Sequence, residues 1–197
     1  MKFDFSQPIK LENERVILRP LEQNDFTYLL PFSENEKDLW DFSLTPAAGA
    51  ENLQTYIDTA LTAKEKLQAY TFVVFDKHVH KVAGSTRFYD IQITHNVLSL
   101  GYTWYGTEFQ RTGLNRNCKY LLLSYAFDVF GVDRVEFRAD LRNVKSIQAM
   151  KQIGCTQEGI LRSNCSASYG RRDSIVLSIL KPEWDQKVKT HLQSKLY

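Results

Sequence analysis

The sequence predicts a mixed α/β (α+β) fold, with a mainly antiparallel central sheet flanked by helices. Three observations carry this. Apolar strand-like runs over 71–75 (TFVVF), 82–91 and 98–104 are joined by short connections, as in an antiparallel meander. An amphipathic pattern with helical spacing begins at Gly113 and runs to about Phe130. A second apolar run, 174–180 (SIVLSIL), reads as a buried strand beyond two more helix and strand patterns.

In chain order, residues 15–20 (RVILRP) read as an edge strand closed by Pro20. Residues 22–40 suit one or two short helices, interrupted near Pro31. Residues 46–49 form a loop. Over 51–68, Leu53, Tyr56, Ile57, Ala60, Leu61 and Leu67 recur at helical spacing. Residues 76–81 are a turn between the first two meander strands. In the third, alternation places Leu98, Leu100, Tyr102 and Trp104 on one face. The helix from Gly113 carries Leu114, Cys118, Leu121, Leu122, Tyr125 and Val129 on one stripe, and Gly131 is its stop. A strand follows over 135–139. A helix over 143–153 comes next, with Asn143 as N-cap and Gly154 as terminator. A polar helix follows Pro182.

At 197 residues the chain reads as one domain, 1–197. A net charge of +2 and the lack of a Lys/Arg run give no sign of nucleic-acid binding. Cys118, Cys155 and Cys165 are odd in number and lack C-x-x-C spacing, which argues against a zinc site and a disulfide framework. The cysteine usage suits a reducing cytoplasm, and no run has the length of a signal peptide or membrane span. His78, His80 and His95 fall in or beside turns with no ligand set around them, so no metal is expected.

The most informative stretch is Gln110-Arg111-Thr112-Gly113-Leu114-Asn115, between the 98–104 strand and the following helix. A tight strand-to-helix loop aims several unpaired backbone N–H groups one way, at the positive end of the helix dipole. Such an arrangement binds phosphate, and diphosphate best, which points to a nucleotide-type cofactor. The loop lacks the Lys-Ser/Thr pair of a P-loop NTPase.

Two signatures together resemble the GNAT superfamily of acyl-CoA-dependent N-acetyltransferases. One is Gln110-x-x-Gly113, against a family pattern of Q/R-x-x-G-x-G/A. The other is Asn143-x-x-Ser146 with Ile153-Gly154, about 30 residues on. Leu18-Arg19-Pro20-Leu21, Gly84-Ser85-Thr86-Arg87 and Glu158-Gly159-Ile160-Leu161-Arg162 look like its RimJ/RimL-like branch, which includes enzymes acetylating protein N-termini. The resemblance covers roughly residues 10–185. It departs at Asn115, in place of the second glycine, and at Met150, where a tyrosine is common. It also departs at Cys155, where an aromatic is usual, and at Ser99, in place of an acidic residue.

The resemblance implies acetyl-CoA as cosubstrate and no metal. It implies that Gln110 and the backbone N–H groups of Arg111, Thr112, Gly113, Leu114 and Asn115 form the cofactor site around the diphosphate, with charge from Arg111 or Arg116. The main chain of Thr103 and Trp104 would bond the pantetheine arm like an added strand, and Asn143 would position that arm. Ser146 is the leading proton donor to the departing thiolate, since Met150 has no proton to give. The base is open among Tyr89, Asp90, Glu108 and Asp173. An α-amine with a pKa near 8 needs about 1 kcal/mol to deprotonate at neutral pH, against about 4–5 kcal/mol for lysine.

Plainer roles stand beside these. Asn143 and Ser146 can act only as helix cap and first-turn serine, Tyr89 and Trp104 as core, and Asp173 as a surface partner of Arg171 and Arg172. The acceptor implied is a protein N-terminal α-amine, attacked directly through a tetrahedral intermediate. The alternatives are a small amine (polyamine, amino acid or antibiotic) or a non-catalytic CoA-binding sensor. A homodimer is compatible with the strand pattern.

Overall fold

Residue 5 and residues 7–196 are described by the structure, a computed structural model. The strands are β1 (Leu11–Glu12), β2 (Val16–Pro20), β3 (Ala69–Asp76), β4 (Lys81–Gln92), β5 (Val97–Tyr105), β6 (Arg134–Asp140), β7 (Thr156–Ala167) and β8 (Gly170–Leu180). They form one sheet in the order β1-β2-β3-β4-β5-β6-β8-β7. Neighbours are antiparallel except β5 and β6, which run parallel.

That parallel pairing is short, joining only Val97, Leu98 and Ser99 to Arg134, Val135 and Glu136. Beyond it β6 keeps its register with β8 to Asp140, while β5 stays with β4 to Tyr105. A wedge-shaped gap therefore opens in the middle of the sheet. A β-bulge bends β5 at its mouth: between Arg87↔Gly101 and Ser85↔Trp104, β4 spends one residue and β5 two. Tyr102, the bulged residue, takes a left-handed φ of 49°.

Helices α1 (Phe26–Asn35) and α2 (Ala50–Glu65) cover one face, and α3 (Leu114–Ser124) covers the other. Adjacent residues of β4 show this alternation. Ser85 Oγ lies 3.2 Å from Tyr56 Oη of α2, whereas Thr86 Oγ1 lies 2.8 Å from Thr103 Oγ1, which Lys119 of α3 reaches. α4 (Val144–Gln152) follows β6, and helical turns over 181–193 pack back on α3. There the Trp184 ring stacks on Phe127 at 5.4 Å and its N–H donates to Asp128 at 3.0 Å. Among the described residues no helix is long and apolar enough to cross a membrane.

Several sequence expectations are corrected. β2 is flanked by the two-residue β1 and is not the sheet's edge. α1 runs through Pro31 without a break. The N–H that proline lacks would have bonded Thr27, and both residues lie on the exposed side, where that carbonyl is open to solvent. Leu67 leaves the α2 stripe, 54% exposed in a left-handed turn. Val129 is 60% exposed because the chain widens into a π-helical turn over Tyr125–Phe130, shifting the stripe. The four-residue face of β5 splits at the bulge. Tyr102 packs on Tyr89, and Trp104 on Trp40 and Phe32 beneath α1. β7 was not expected from the sequence. It is an edge strand exposed along most of its length, so no apolar alternation marks it.

Candidate active site

The turn from β5 into α3 is held from below. Phe109, 3% exposed, sits against the Phe32 ring at 6.2 Å. Gln110 Nε2 donates to the Tyr105 carbonyl at 3.1 Å, and Thr112 Oγ1 to the Phe109 carbonyl at 2.8 Å. Arg111 and Gly113 take φ of 62° and 87°, on either side of Thr112. These left-handed residues turn successive amides to one side. The N–H groups of Arg111, Thr112, Gly113 and Asn115 have no acceptor among the described residues, and that of Leu114 has only the Thr112 hydroxyl at 3.4 Å. A Cβ built on Gly113 meets nothing within 4 Å, so the space before the helix is open. The donor set therefore fits a diphosphate.

Asn115 turns its side chain inward, where Oδ1 accepts from Tyr105 Oη at 3.2 Å and ties the helix to the end of β5. Arg116 points elsewhere, bonding the Lys195 carbonyl at 2.7 Å. Arg111 is exposed and makes no ion pair among the described residues, which leaves its charge available beside the amides.

From Leu100 onward the edge of β5 facing the gap has no strand partner among the described residues. Thr103 is half-buried and Trp104 buried. Lys119, only 5% exposed, reaches Thr103 Oγ1 at 2.8 Å. Burial pushes its pKa down from an ordinary 10.5 to about 8. Below pH 8 the folded and unfolded chains both carry the charge, and the full burial cost of about 3 kcal/mol is present. Between pH 8 and 10.5 the unfolded chain binds more protons, so stability rises with pH and the cost fades. Lys119→Met is accordingly expected to raise stability at pH 7 by about 2–3 kcal/mol. The gain should shrink toward pH 10.5, as checked by urea unfolding across pH.

α4 begins at the open end of the gap. Asn143 caps it, its Oδ1 accepting the Ser146 N–H at 3.1 Å. Ser146 is half-buried, and its hydroxyl has no partner among the described residues. Met150 is buried. Tyr89 stands on the α1–α2 face opposite Ser99, its ring perpendicular to Tyr102 at 5.0 Å. Burial, then the Tyr102 hydroxyl, pushes its pKa up to about 12. It is a protonated hydroxyl at neutral pH and offers hydrogen bonds rather than basicity.

The other candidate bases are engaged or remote. Asp173 is exposed and accepts the Ser163 N–H at 2.7 Å, closing an irregularity in the β7–β8 pair. Glu108 faces Lys81 at 3.6 Å. Asp90 accepts from Gln92 Nε2 at 3.2 Å. Cys118 and Cys155 are buried, and burial pushes both thiols up, so neither is a nucleophile. No group of three His, Cys, Asp or Glu among the described residues can hold a metal. A groove of about 740 Å³ between α1 and the β3–β4 hairpin is lined by Phe32, Lys81 and Glu108 but by none of the other candidate catalytic or cofactor-binding residues.

Sequence reasoning missed four charged groups here. Lys119 and Arg87 are each only 5% exposed, which no local pattern marks. Glu136 lies between Arg134 at 2.8 Å and Arg138 at 2.6 Å on the β6 wall. Asp140 ends β6: its burial opposes ionisation, but hydrogen bonds from Arg142 and Tyr169 outweigh that and bring its pKa down to about 2. Period-two alternation in RVEFRAD was the available signal for Glu136 and Arg138.

A family model described as "Acetyltransferase (GNAT) domain" matches residues 15–156, from the start of β2 through both α3 and α4. The chain belongs to the GNAT acetyltransferase family. A curated relative of this acetyltransferase is "Probable N-acetyltransferase YjcK" of Bacillus subtilis (strain 168). It is 25% identical over 182 residues, spanning 89% of this chain and 99% of the relative. The crystal structure of a GCN5-related N-acetyltransferase from Brucella melitensis superposes with a TM-score of 0.88 at 26% identity, covering 97% of this chain and 86% of that one. The ribosomal-protein-S5-alanine acetyltransferase from Vibrio fischeri shares the fold, with a TM-score of 0.71 at 21% identity over 89% of this chain and 98% of that one. GNAT acetyltransferases use acetyl-CoA and an amine acceptor, and this enzyme's α3 amides and open β5 edge suit the first of these.

Proposed function

We propose that this acetyltransferase moves an acetyl group from acetyl-CoA to the α-amine of a protein N-terminus, as a RimJ/RimL-like enzyme. The observation that carries the reading is the junction of two unsatisfied backbone surfaces. The free amides at the start of α3 meet the unpartnered edge of β5 at the gap. Arg111, Thr112, Gly113, Leu114 and Asn115 hold the diphosphate. Thr103 and Trp104 bond the pantetheine arm along the strand edge, which directs the thioester toward the Tyr102 bulge. Asn143 orients the arm from α4.

The amine attacks from the α1–α2 face. A carbon–nitrogen bond forms, and an N–H at the bulge receives the developing oxyanion. The carbon–sulfur bond then breaks, Ser146 passes its hydroxyl proton to the thiolate, and the proton shed by the attacking nitrogen returns to the serine through water. An α-amine requires little help to lose its proton. Tyr89 Oη accepts a hydrogen bond from the amine N–H and so positions it, and water carries the proton away. The Vibrio fischeri neighbour, named for a ribosomal protein, supports this acceptor class.

The test mixes the protein with acetyl-CoA and a panel of peptides and small amines and follows free thiol. Thiol release with peptide α-amines is expected. Release with small amines alone would assign the acceptor to that class, and CoA binding without release would make the chain a sensor. Ser146→Ala is expected to lower kcat by about tenfold or more with CoA affinity intact by calorimetry. An unchanged kcat would remove the serine from the mechanism.

A further inference from the structure

Arg87 lies in β4 opposite Gly101, beside the bulge, and is only 5% exposed. Other buried or half-buried arginines are matched: Arg15 with Asp76, Arg19 with Asp25, Arg134 with Glu136 and Glu158. Arg172 reaches Ser174 and the Phe42 carbonyl. Arg87 makes no hydrogen bond or ion pair among the described residues, and its Nε and Nη2 are fully covered without a partner. Its guanidinium lies over two rings, 5.1 Å from the Tyr56 centroid and 4.5 Å from that of Tyr102. Cation–π contacts use the faces of the planar cation and leave the in-plane N–H donors empty. Trp40 and Trp104, packed 4.9 Å apart on the same α1–α2 side, also bury indole N–H groups with no acceptor. The α1–α2 side of the sheet thus holds four covered donors, two of them on the Arg87 guanidinium. An unpaired buried guanidinium costs a fold several kcal/mol, so its partner is to be sought outside the chain.

We propose that the acceptor carries a carboxylate close to the reacting amine, and that Arg87 binds it at its guanidinium edge, approached at Nη1, the one nitrogen not fully covered. A carboxylate supplies two oxygens in the spacing that a guanidinium edge matches. The inference rests on the acetyl-transfer reading and narrows its substrate class. Two sources share the chemistry: the α-carboxylate of a free amino acid, and an acidic side chain in the first residues of a peptide.

Matched acceptors test it. Free amino acids are compared with their amides, and peptides beginning with Asp or Glu with the same peptides beginning with Asn or Gln. The natural enzyme is expected to favour the carboxylate member of one pair by about 100-fold in kcat/KM, and the pair that responds identifies the source. In Arg87→Met this preference should fall below about threefold, mostly through KM, while the Kd for CoA by calorimetry stays unchanged. Tryptophan fluorescence gives a readout independent of turnover. With CoA present, the N-acetylated acidic product should perturb it in the natural protein far more than its amide does, and equally little in Arg87→Met. Equal rates for carboxylate and amide members in the natural enzyme would overturn the proposal, even if Arg87→Met failed to fold. So would a uniform loss across all acceptors in the variant. Thiol release without carboxylate preference removes this inference alone, whereas failure to bind CoA removes it together with the acetyl-transfer reading.

Discussion

Gly113→Val is expected to weaken CoA binding by about 100-fold or more while the protein stays folded. A Cβ at this position meets no atom within 4 Å, so the loss does not come from a clash inside the protein. It comes from the backbone. Gly113 sits at φ 87°, and a β-branched residue is strained there by about 1–2 kcal/mol or more. The chain relieves that strain by rotating the Gly113 and Leu114 peptides, which breaks the alignment of amides facing the diphosphate. A 100-fold loss corresponds to about 2.7 kcal/mol, the scale of one or two charge-assisted bonds. Gly113→Asn, which tolerates left-handed backbone, should lose far less. Calorimetry with CoA measures both, and equal affinity for Val and Gly would show that the diphosphate binds elsewhere.

Gly84→Ala is expected to produce the largest loss of stability, about 3 kcal/mol or more, with a Tm lower by roughly 10 °C. Gly84 lies opposite Tyr105 in the β4–β5 pair. A Cβ there would lie 2.1 Å from the Trp104 carbonyl oxygen and 2.9 Å from Tyr105 Cα. Both are main-chain atoms of the strand that borders the gap, and neither can swing aside. The strands must part, and the edge of β5 moves with them. Gly131→Ala is the control. Gly131 also has a positive φ, 69°, but open space around it, so only the strain of about 1 kcal/mol applies. Thermal and urea unfolding of the two variants check this. Similar losses for both would refute the close approach of β4 and β5.

Much of the fold was legible because its signals are local. The meander strands, the α3 pattern, the Asn143 cap and the Gly131 stop each depend on a few adjacent residues, and each forms where periodicity or capping chemistry puts it. The loop 110–115 was legible for the same reason: a glycine at the strand-to-helix turn is backbone chemistry. What escaped depends on neighbours distant in the chain. β7 is exposed along most of its length, shows no apolar alternation, and becomes a strand because β8 offers its edge. Pro31 reads as a helix breaker, yet its missing bond falls on the water side. Tyr102 reads as one more alternating strand residue until β4, with one residue fewer at that point, forces the bulge.

The candidate site divides along the same line. The resemblance to the acetyltransferase family, the glycine loop before α3 and the helix cap were legible in the sequence, since these are written in contiguous segments. The tertiary structure alone decided that Arg87 lies buried between Tyr56 and Tyr102, that Lys119 stands under Thr103, and that β5 leaves β6 after Ser99. Burial converts an ordinary arginine or lysine into a group with an unmet electrostatic demand. Burial is set by packing between segments far apart in sequence, so no local pattern announces it.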